Sequence, residues 1–199
     1  MKNLFIIHLL IILTYSSISQ AKYTVKDFKK LDNQCSQKNG ESCYHAGVVM
    51  FKEKKESLEK SFKYFKKGCD LNHENSCITV GNKYFKDNNK DQAFKHYNKF
   101  CLKKSGKSCF VVGSFFYGSS DKKEGLKYYK TSCDLNFPLA CRNLGAIFQG
   151  EGDKTKALTF FKRACNLQET LSCKNIGLIY QKEGNTKKAD EYFKLAKKK

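Results

Sequence analysis

The sequence predicts an all-α fold, an α/α solenoid (superhelix) made of helix hairpins that are stapled by disulfides. A cysteine followed eight residues later by another occurs five times and uses all 10 cysteines of the 199-residue chain. The first cysteines of these pairs lie 34, 32, 32 and 32 residues apart. A fixed period of this length is typical of a repeat array. The pairs are Cys35/Cys43, Cys69/Cys77, Cys101/Cys109, Cys133/Cys141 and Cys165/Cys173.

Each repeat contains two segments with helical spacing. A glycine follows the second cysteine by four residues and a large apolar residue comes three further on, which places both on one helix face. In the second segment an aromatic residue lies four residues after a small residue, which is the spacing of neighbours on one face of a second helix. Because glycine has no Cβ, we expect the ring of the second helix to pack onto the glycine of the first. The glycines are Gly47, Gly81, Gly113, Gly145 and Gly177, and the rings are Phe65, Tyr97, Tyr129 and Phe161.

Residues 1–21 have the composition of a signal peptide. Lys2 precedes an apolar run of about ten residues, and Ser19-Gln20-Ala21 is a small-x-small cleavage pattern. The run is too short to cross a bilayer as a helix, so we expect no transmembrane segment. The mature chain, 22–199, is predicted to be a single repeat domain and a monomer.

The repeats divide the mature chain into eleven predicted helices. A capping helix over 24–35 carries the first cysteine, and Pro138 stands at a helix start, where proline is tolerated. Asp87-Asn88-Asn89 and Glu151-Gly152-Asp153 are typical of turns and helix caps. Adjacent rings such as Phe160-Phe161 are predicted to pack, one inward and the other over the groove to the neighbouring unit. The hairpins are predicted over 42–68, 75–101, 107–133, 139–165 and 171–197.

The ends of the array predict how the cysteines pair. Pairing within a hairpin would leave Cys35 and Cys173 without partners, whereas pairing across each linker leaves none. Each nine-residue loop closed in this way contributes about 2.5 kcal/mol by loop entropy. Disulfides of this number indicate an oxidising compartment, which predicts a secreted or periplasmic protein.

The cysteine spacing argues against zinc as the reason for the pairs. Zinc-binding cysteines stand about two to four residues apart and need a second converging pair. His45, His73 and His96 do not recur at equivalent repeat positions. We therefore expect no metal and no other cofactor.

The formal net charge of +19 comes mainly from lysines spread along the chain. Among the 38 basic residues only Arg142 and Arg163 are arginines, the residue that nucleic-acid readers favour for bidentate contacts. The pattern therefore argues against nucleic acid as a partner. It suits a solvated surface with attraction to anionic lipid, lipopolysaccharide, peptidoglycan or host-cell polyanions.

Residues that differ between the first helices are the candidates for binding. The repeats resemble tetratricopeptide-like arrays, and this resemblance implies that side chains one and five residues after the second cysteine line a concave groove. These positions run from Tyr44, Asn82 and Phe110 to Arg142 and Lys174. The cationic end suits a peptide, protein segment or peptidoglycan fragment with a carboxylate. Asn143 and Asn175, beside the two cations, either bind the ligand or cap a packing contact. The remaining groove positions are Val48, Ile78, Ser114, Ala146 and Leu178.

The segments ACRNLGAIFQGEGDKTKALTFFKRAC and LSCKNIGLIYQKEGNTKKADEYFKLA resemble Sel1-like repeats, relatives of tetratricopeptide repeats. With two cysteines in each unit, residues 35–197 are similar to the Helicobacter cysteine-rich protein family. The inner turn is shorter here than in typical Sel1-like units. The resemblance implies a binding scaffold. It also implies, as an alternative, a penicillin-binding protein with weak β-lactamase activity.

That alternative requires a serine nucleophile with a lysine one helical turn away, as in S-x-x-K. The pattern occurs at Ser57/Lys60, Ser119/Lys122 and Ser120/Lys123, which is close to chance in so lysine-rich a chain. Lys130-Thr131-Ser132 only approximates the companion K-T-G element. The sequence therefore favours a scaffold over a hydrolase.

Overall fold

The computed structural model describes residues 23–53, 58–119 and 121–197, and every regular element in these ranges is helical. A short 3-10 turn, Val25–Asp27, precedes eleven α-helices, as the sequence predicts. The predicted signal peptide lies outside the described residues. The helices are α1 (Phe28–Ser36), α2 (Gly40–Glu53), α3 (Leu58–Asp70), α4 (Glu74–Lys86), α5 (Lys90–Cys101), α6 (Gly106–Gly118), α7 (Lys122–Asp134), α8 (Pro138–Gly150), α9 (Lys154–Asn166), α10 (Thr170–Lys182) and α11 (Thr186–Lys197).

The chain divides after Lys103 into two compact units. The N-terminal unit contains α1 to α5 and the C-terminal unit contains α6 to α11. Within each unit the two helices of a hairpin pack together, and the second packs against the first helix of the next hairpin. The organisation as a single domain stays a prediction.

The contact between glycine and ring recurs in all five hairpins. A Cβ built on any of the five glycines would lie 2.5 to 2.7 Å from a ring atom of the second helix. That is closer than real Cβ atoms come, so only glycine permits this approach of the two helices. The prediction is therefore confirmed. The contacts are Gly47–Phe65, Gly81–Tyr97, Gly113–Tyr129, Gly145–Phe161 and Gly177–Phe193.

The second ring of each adjacent pair has different partners in different hairpins. In the first hairpin Tyr64 packs on the neighbouring helix α1 as predicted, with its ring 5.8 Å from that of Phe28 and its hydroxyl donating to Asp32 at 2.6 Å. The equivalent rings of the third, fourth and fifth hairpins stack instead on the first helix of their own hairpin. Their partner is the large residue three positions after the glycine, which lies one turn farther along the same helix face. The stacked pairs are Phe116–Tyr128 at 5.7 Å, Phe148–Phe160 at 5.5 Å and Tyr180–Tyr192 at 5.8 Å between centroids.

Turn chemistry ends the helices where the sequence predicts. Asn88 and Gly152 adopt left-handed backbone conformations in the inner turns, with φ of 61° and 81°. The next residue then caps the second helix, since Asn89 accepts a bond from Gln92 N and Asp153 accepts one from Lys156 N. Pro138 is the first residue of α8, as expected.

Disulfides bracket the linkers between hairpins. The described pairs are Cys35–Cys43, Cys69–Cys77, Cys133–Cys141 and Cys165–Cys173, with Cα atoms 4.5 to 4.9 Å apart. Cys101 and Cys109 are also disulfide-bonded, and none of the described cysteines is free. This cysteine chemistry indicates an oxidising compartment. No helix in the described ranges has the length and apolar character needed to cross a membrane.

Candidate functional site

The first helices of the hairpins, α2, α4, α6, α8 and α10, carry the predicted groove positions. In the first three hairpins these side chains are mostly buried. Tyr44 is 7% exposed and Phe110 is 1% exposed, so neither offers much surface to a ligand. Val48, Ile78 and Ser114 are buried as well.

In three hairpins the residue after the second cysteine contacts the start of the next first helix. In the N-terminal unit the Tyr44 ring lies 5.0 Å from the ring of His73, the residue that caps α4. In the C-terminal unit the Phe110 ring lies 5.3 Å from that of Phe137, the residue before α8. One hairpin later the same contact is an ion pair, between Arg142 and Glu169. This position therefore joins successive first helices.

Partial burial and further hydrogen bonds hold the Arg142–Glu169 ion pair in place. Arg142 Nη1 lies 3.0 Å from Glu169 Oε1, and the two side chains are 23% and 10% exposed. Glu169 is also the N-cap of α10, where its Oε2 accepts bonds from the Ser172 amide at 2.7 Å and hydroxyl at 2.6 Å. The guanidinium therefore already has a carboxylate partner. An anionic ligand would reach it only in competition with Glu169.

The residue type found five residues after the second cysteine depends on the ring that packs against it from the second helix. Where the buried ring is a tyrosine this position is polar, because the hydroxyl needs a partner. Tyr97 donates to Asn82 Oδ1 at 2.7 Å and Tyr129 donates to Ser114 Oγ at 3.1 Å. Burial raises the pKa of Tyr97 and of Tyr129, so both hydroxyls remain protonated. Asn82 is therefore occupied by a structural hydrogen bond.

Where the ring is a phenylalanine the same position is apolar. In the fourth hairpin the ring is Phe161 and the residue at this position is Ala146, and in the fifth they are Phe193 and Leu178. Asn143 lies beside this polar arrangement, and its side chain lowers the pKa of the Tyr129 hydroxyl against the larger effect of burial. The differences between repeats at this position thus follow from core chemistry.

The last two first helices expose a different set of groove positions. Lys174 and Ala146 are exposed, and Leu178 is 40% exposed. Within the part of the chain that the structure describes, the Lys174 ammonium forms no ion pair or hydrogen bond. Asn175 beside it is half-buried. Among the groove positions, Lys174 therefore presents a free ammonium beside the apolar surface of Ala146 and Leu178.

The described serines of the predicted hydrolase motifs are not arranged as nucleophiles. Ser119 Oγ donates to the Phe116 carbonyl at 2.8 Å, and Lys122 Nζ lies over the Tyr117 ring at 5.9 Å. Ser132 Oγ donates to the Gly106 carbonyl at 2.6 Å. Ser57 and Ser120 lie outside the described residues.

One cluster of possible metal ligands occurs among the described residues. The ligand atoms of Cys69, Cys77 and His96 all lie within 4.8 Å of one another. The two sulfurs form a disulfide, so they are not thiolate ligands in this state. Burial lowers the pKa of His96, with Lys95 and Lys99 acting in the same direction. Sequence reasoning missed this cluster because His96 has no counterpart in the other repeats.

Family models match most of the chain. The model for the Sel1 repeat matches residues 40–73, 81–105, 106–137 and 138–169, and a tetratricopeptide repeat model matches residues 172–198. No curated protein sequence matches significantly.

Solved structures share the fold. A Sel1 repeat protein from Oxalobacter formigenes is 16% identical with a TM-score of 0.66, covering 86% of this chain and 83% of its own. The protein c5321, described as a protective antigen of uropathogenic Escherichia coli with an SLR fold, is 16% identical with a TM-score of 0.67. That match covers 85% of this chain and 40% of the antigen. MamA is 21% identical with a TM-score of 0.50, and the match covers 71% of this chain and 88% of MamA.

The repeat matches span well over half of the 199 residues and coincide with the hairpins. They also agree with the glycine–ring contacts and with the all-helical fold of the described residues. The chain belongs to the Sel1 repeat family.

Proposed function

We propose that this protein is a binding scaffold that holds a carboxylate-bearing peptide or cell-wall fragment on the first helices of its C-terminal unit. Repeat proteins of this type bind peptides or proteins, which supports this class of partner. The observation that carries the proposal is the exposed Lys174, at a position that is buried or ion-paired in the preceding hairpins. Its ammonium is free to meet a ligand carboxylate.

The neighbouring side chains support the same ligand chemistry. Asn175 can hydrogen-bond an extended peptide backbone, because its amide offers both donors and an acceptor. Leu178 and Ala146 provide apolar surface for the side chains of such a ligand. Arg142 fixes the start of α10 through Glu169, so its first role is to position this surface. Tyr44 and Phe110 support the packing of successive hairpins, and Asn82 accepts the Tyr97 hydroxyl within its own hairpin.

The proposed setting is the outside of the cell or the periplasm. The disulfides require an oxidising compartment, and residues 1–21 are proposed to be the export signal. Peptidoglycan fragments and proteins of a host-cell surface are the carboxylate-bearing partners available there. No cofactor is needed for this function.

The Lys174→Ala variant is expected to bind a carboxylate-terminated peptide at least tenfold more weakly than the wild-type protein, a loss of about 1.4 kcal/mol. The contact is exposed, so affinity should also fall as the salt concentration rises. The measurement is a calorimetric titration with purified muropeptides and with short peptides, each as the free acid and as the C-terminal amide.

Lys162→Ala is the matched control, since Lys162 is an exposed lysine on α9, a second helix. It should bind like the wild-type protein. The amidated probes should not distinguish Lys174→Ala from wild type. Equal loss in both variants, or no preference for the free acid, would contradict the proposal.

The hydrolase alternative has a test of its own. We expect no covalent adduct after the oxidised protein is incubated with penicillin. Two described serines hydrogen-bond a group that could act as a base, Ser76 with His73 and Ser172 with Glu169, and both serines are fully buried. Intact-mass spectrometry is the measurement, with a serine β-lactamase as the positive control. A penicillin adduct located on Ser57 or Ser120 would favour the hydrolase.

A further inference from the structure

One position on the second helix sets the second hairpin apart from the other four. Tyr64, Tyr128, Phe160 and Tyr192 occupy it in those hairpins, and His96 occupies it here. His96 keeps the packing role, because its ring stacks on Tyr84 at 5.4 Å with an interplanar angle of 11°. The imidazole therefore brings ring nitrogens into a ring stack that recurs in other hairpins.

The added nitrogen faces a disulfide. His96 Nδ1 lies 3.5 Å from Cys69 Sγ, and all three potential ligand atoms of Cys69, Cys77 and His96 lie within 4.8 Å of one another. A tetrahedral ion with metal–sulfur and metal–nitrogen bonds of about 2.3 and 2.0 Å places the two ligand atoms about 3.5 Å apart. Cys69 and His96 therefore already have the spacing of two ligands on one ion.

The surrounding charge favours thiolates at this place. Lys66, Lys95 and Lys99 act electrostatically on His96, with Asp70 as the opposing charge. The Lys99 ammonium also donates a hydrogen bond to the Cys69 carbonyl at 2.8 Å. Nearby cations stabilise a thiolate relative to the thiol. Two thiolates with Cu(I) carry one net negative charge, whereas two thiolates with Zn(II) are neutral, so the lysines favour the monovalent ion.

We propose that Cys69, Cys77 and His96 form a binding site for a soft metal ion once the Cys69–Cys77 disulfide is reduced, with Cu(I) preferred to Zn(II). Thiolate and imidazole are the ligands that both ions take. Opening the disulfide frees each cysteine side chain to rotate about its Cα–Cβ bond. The two sulfurs can then separate to the distance that one shared ion requires.

The reductant in the test is a water-soluble phosphine. It takes the oxygen of one water molecule and becomes the phosphine oxide, while the two electrons and two protons leave two thiols on the protein. Metal binding then releases the two thiol protons to solvent. The imidazole binds through its neutral nitrogen and loses no proton.

The experiment uses the full chain, treated anaerobically with graded phosphine and titrated with Cu(I) or Zn(II) against a chromophoric chelator. Cysteine alkylation and peptide mapping then identify which thiols each ion protects. His96→Phe is the test variant, because phenylalanine occupies the equivalent position in the fourth hairpin. Phe160→His is the converse variant, which places an imidazole near Cys133–Cys141.

We expect the wild-type protein to bind one Cu(I) at least tenfold more tightly than His96→Phe, with protection confined to Cys69 and Cys77. Phe160→His should gain a second site that protects Cys133 and Cys141. Equal affinity of wild type and His96→Phe would overturn the proposal, since the thiols alone would then account for binding. Protection spread evenly over all cysteines would overturn it as well, including in a chain that unfolds on reduction.

Discussion

Gly145→Ala is expected to destabilise the protein by about 2 to 3 kcal/mol, a large effect for a single methyl group. The new Cβ would lie 2.6 Å from a ring atom of Phe161, which is 0% exposed. The ring has no free volume to move into, because protein cores are close-packed. Either α8 or α9 must therefore shift. Urea denaturation of the oxidised protein measures the change in the free energy of unfolding.

Gly150 provides a matched control in the same helix. A Cβ added there meets nothing within 4 Å, and its backbone is not in the left-handed region. Gly150→Ala is therefore expected to stabilise the protein by about 0.4 to 1 kcal/mol, because alanine restricts the unfolded chain. Similar stabilities of the two variants would show that the glycine–ring contact does not determine the packing of the hairpin.

Replacing Cys133 and Cys141 together with serine is expected to lower stability by about 2 to 3 kcal/mol. The disulfide closes a short loop between α7 and α8, and its loss restores entropy to the unfolded chain. Hydrogen exchange should accelerate first in α7 and α8, since local opening follows the lost constraint.

The reducing condition is the control for this variant. With all disulfides reduced, the wild-type protein and the double variant both lack the constraint, so the difference between their stabilities should almost vanish. A difference that persists under reduction would assign the effect to the serine hydroxyls in the core. The disulfide would then be incidental to stability.

The architecture was predictable because it depends on local patterns that occur five times. Each cysteine needs a disulfide partner and each glycine needs a ring packed against it. A single repeat would not reveal either requirement. Gly145 needs a ring opposite it, and Phe161 stands at the required spacing. The repeat period then fixed the number of helices without any knowledge of their arrangement in space.

The candidate site was less predictable, because residues differ between repeats for two reasons. Some differences can serve ligand binding, and others satisfy hydrogen bonds in the core. Asn82 was expected at a binding surface, yet it accepts the buried hydroxyl of Tyr97. The sequence did contain this signal, since the polar residue occurs only in repeats whose ring is a tyrosine. Comparison of the two positions across the repeats would have found it.

Ion pairing between hairpins could not be read from the sequence. Arg142 and Glu169 are 27 residues apart, and their contact depends on how α8 meets the start of α10. The same is true of His96 and Cys69, which also lie 27 residues apart. Such contacts follow from the stacking of hairpins, which a repeat pattern predicts only in outline.

Hydrogen–deuterium exchange with and without a saturating carboxylate-terminated peptide is the most direct test of the binding surface. We predict protection of the amides of α8 and α10, centred on Lys174 and Asn175, and loss of that protection in Lys174→Ala. The second helices α9 and α11 should be unchanged. Protection confined to the N-terminal unit, or to the second helices, would contradict the proposed binding surface.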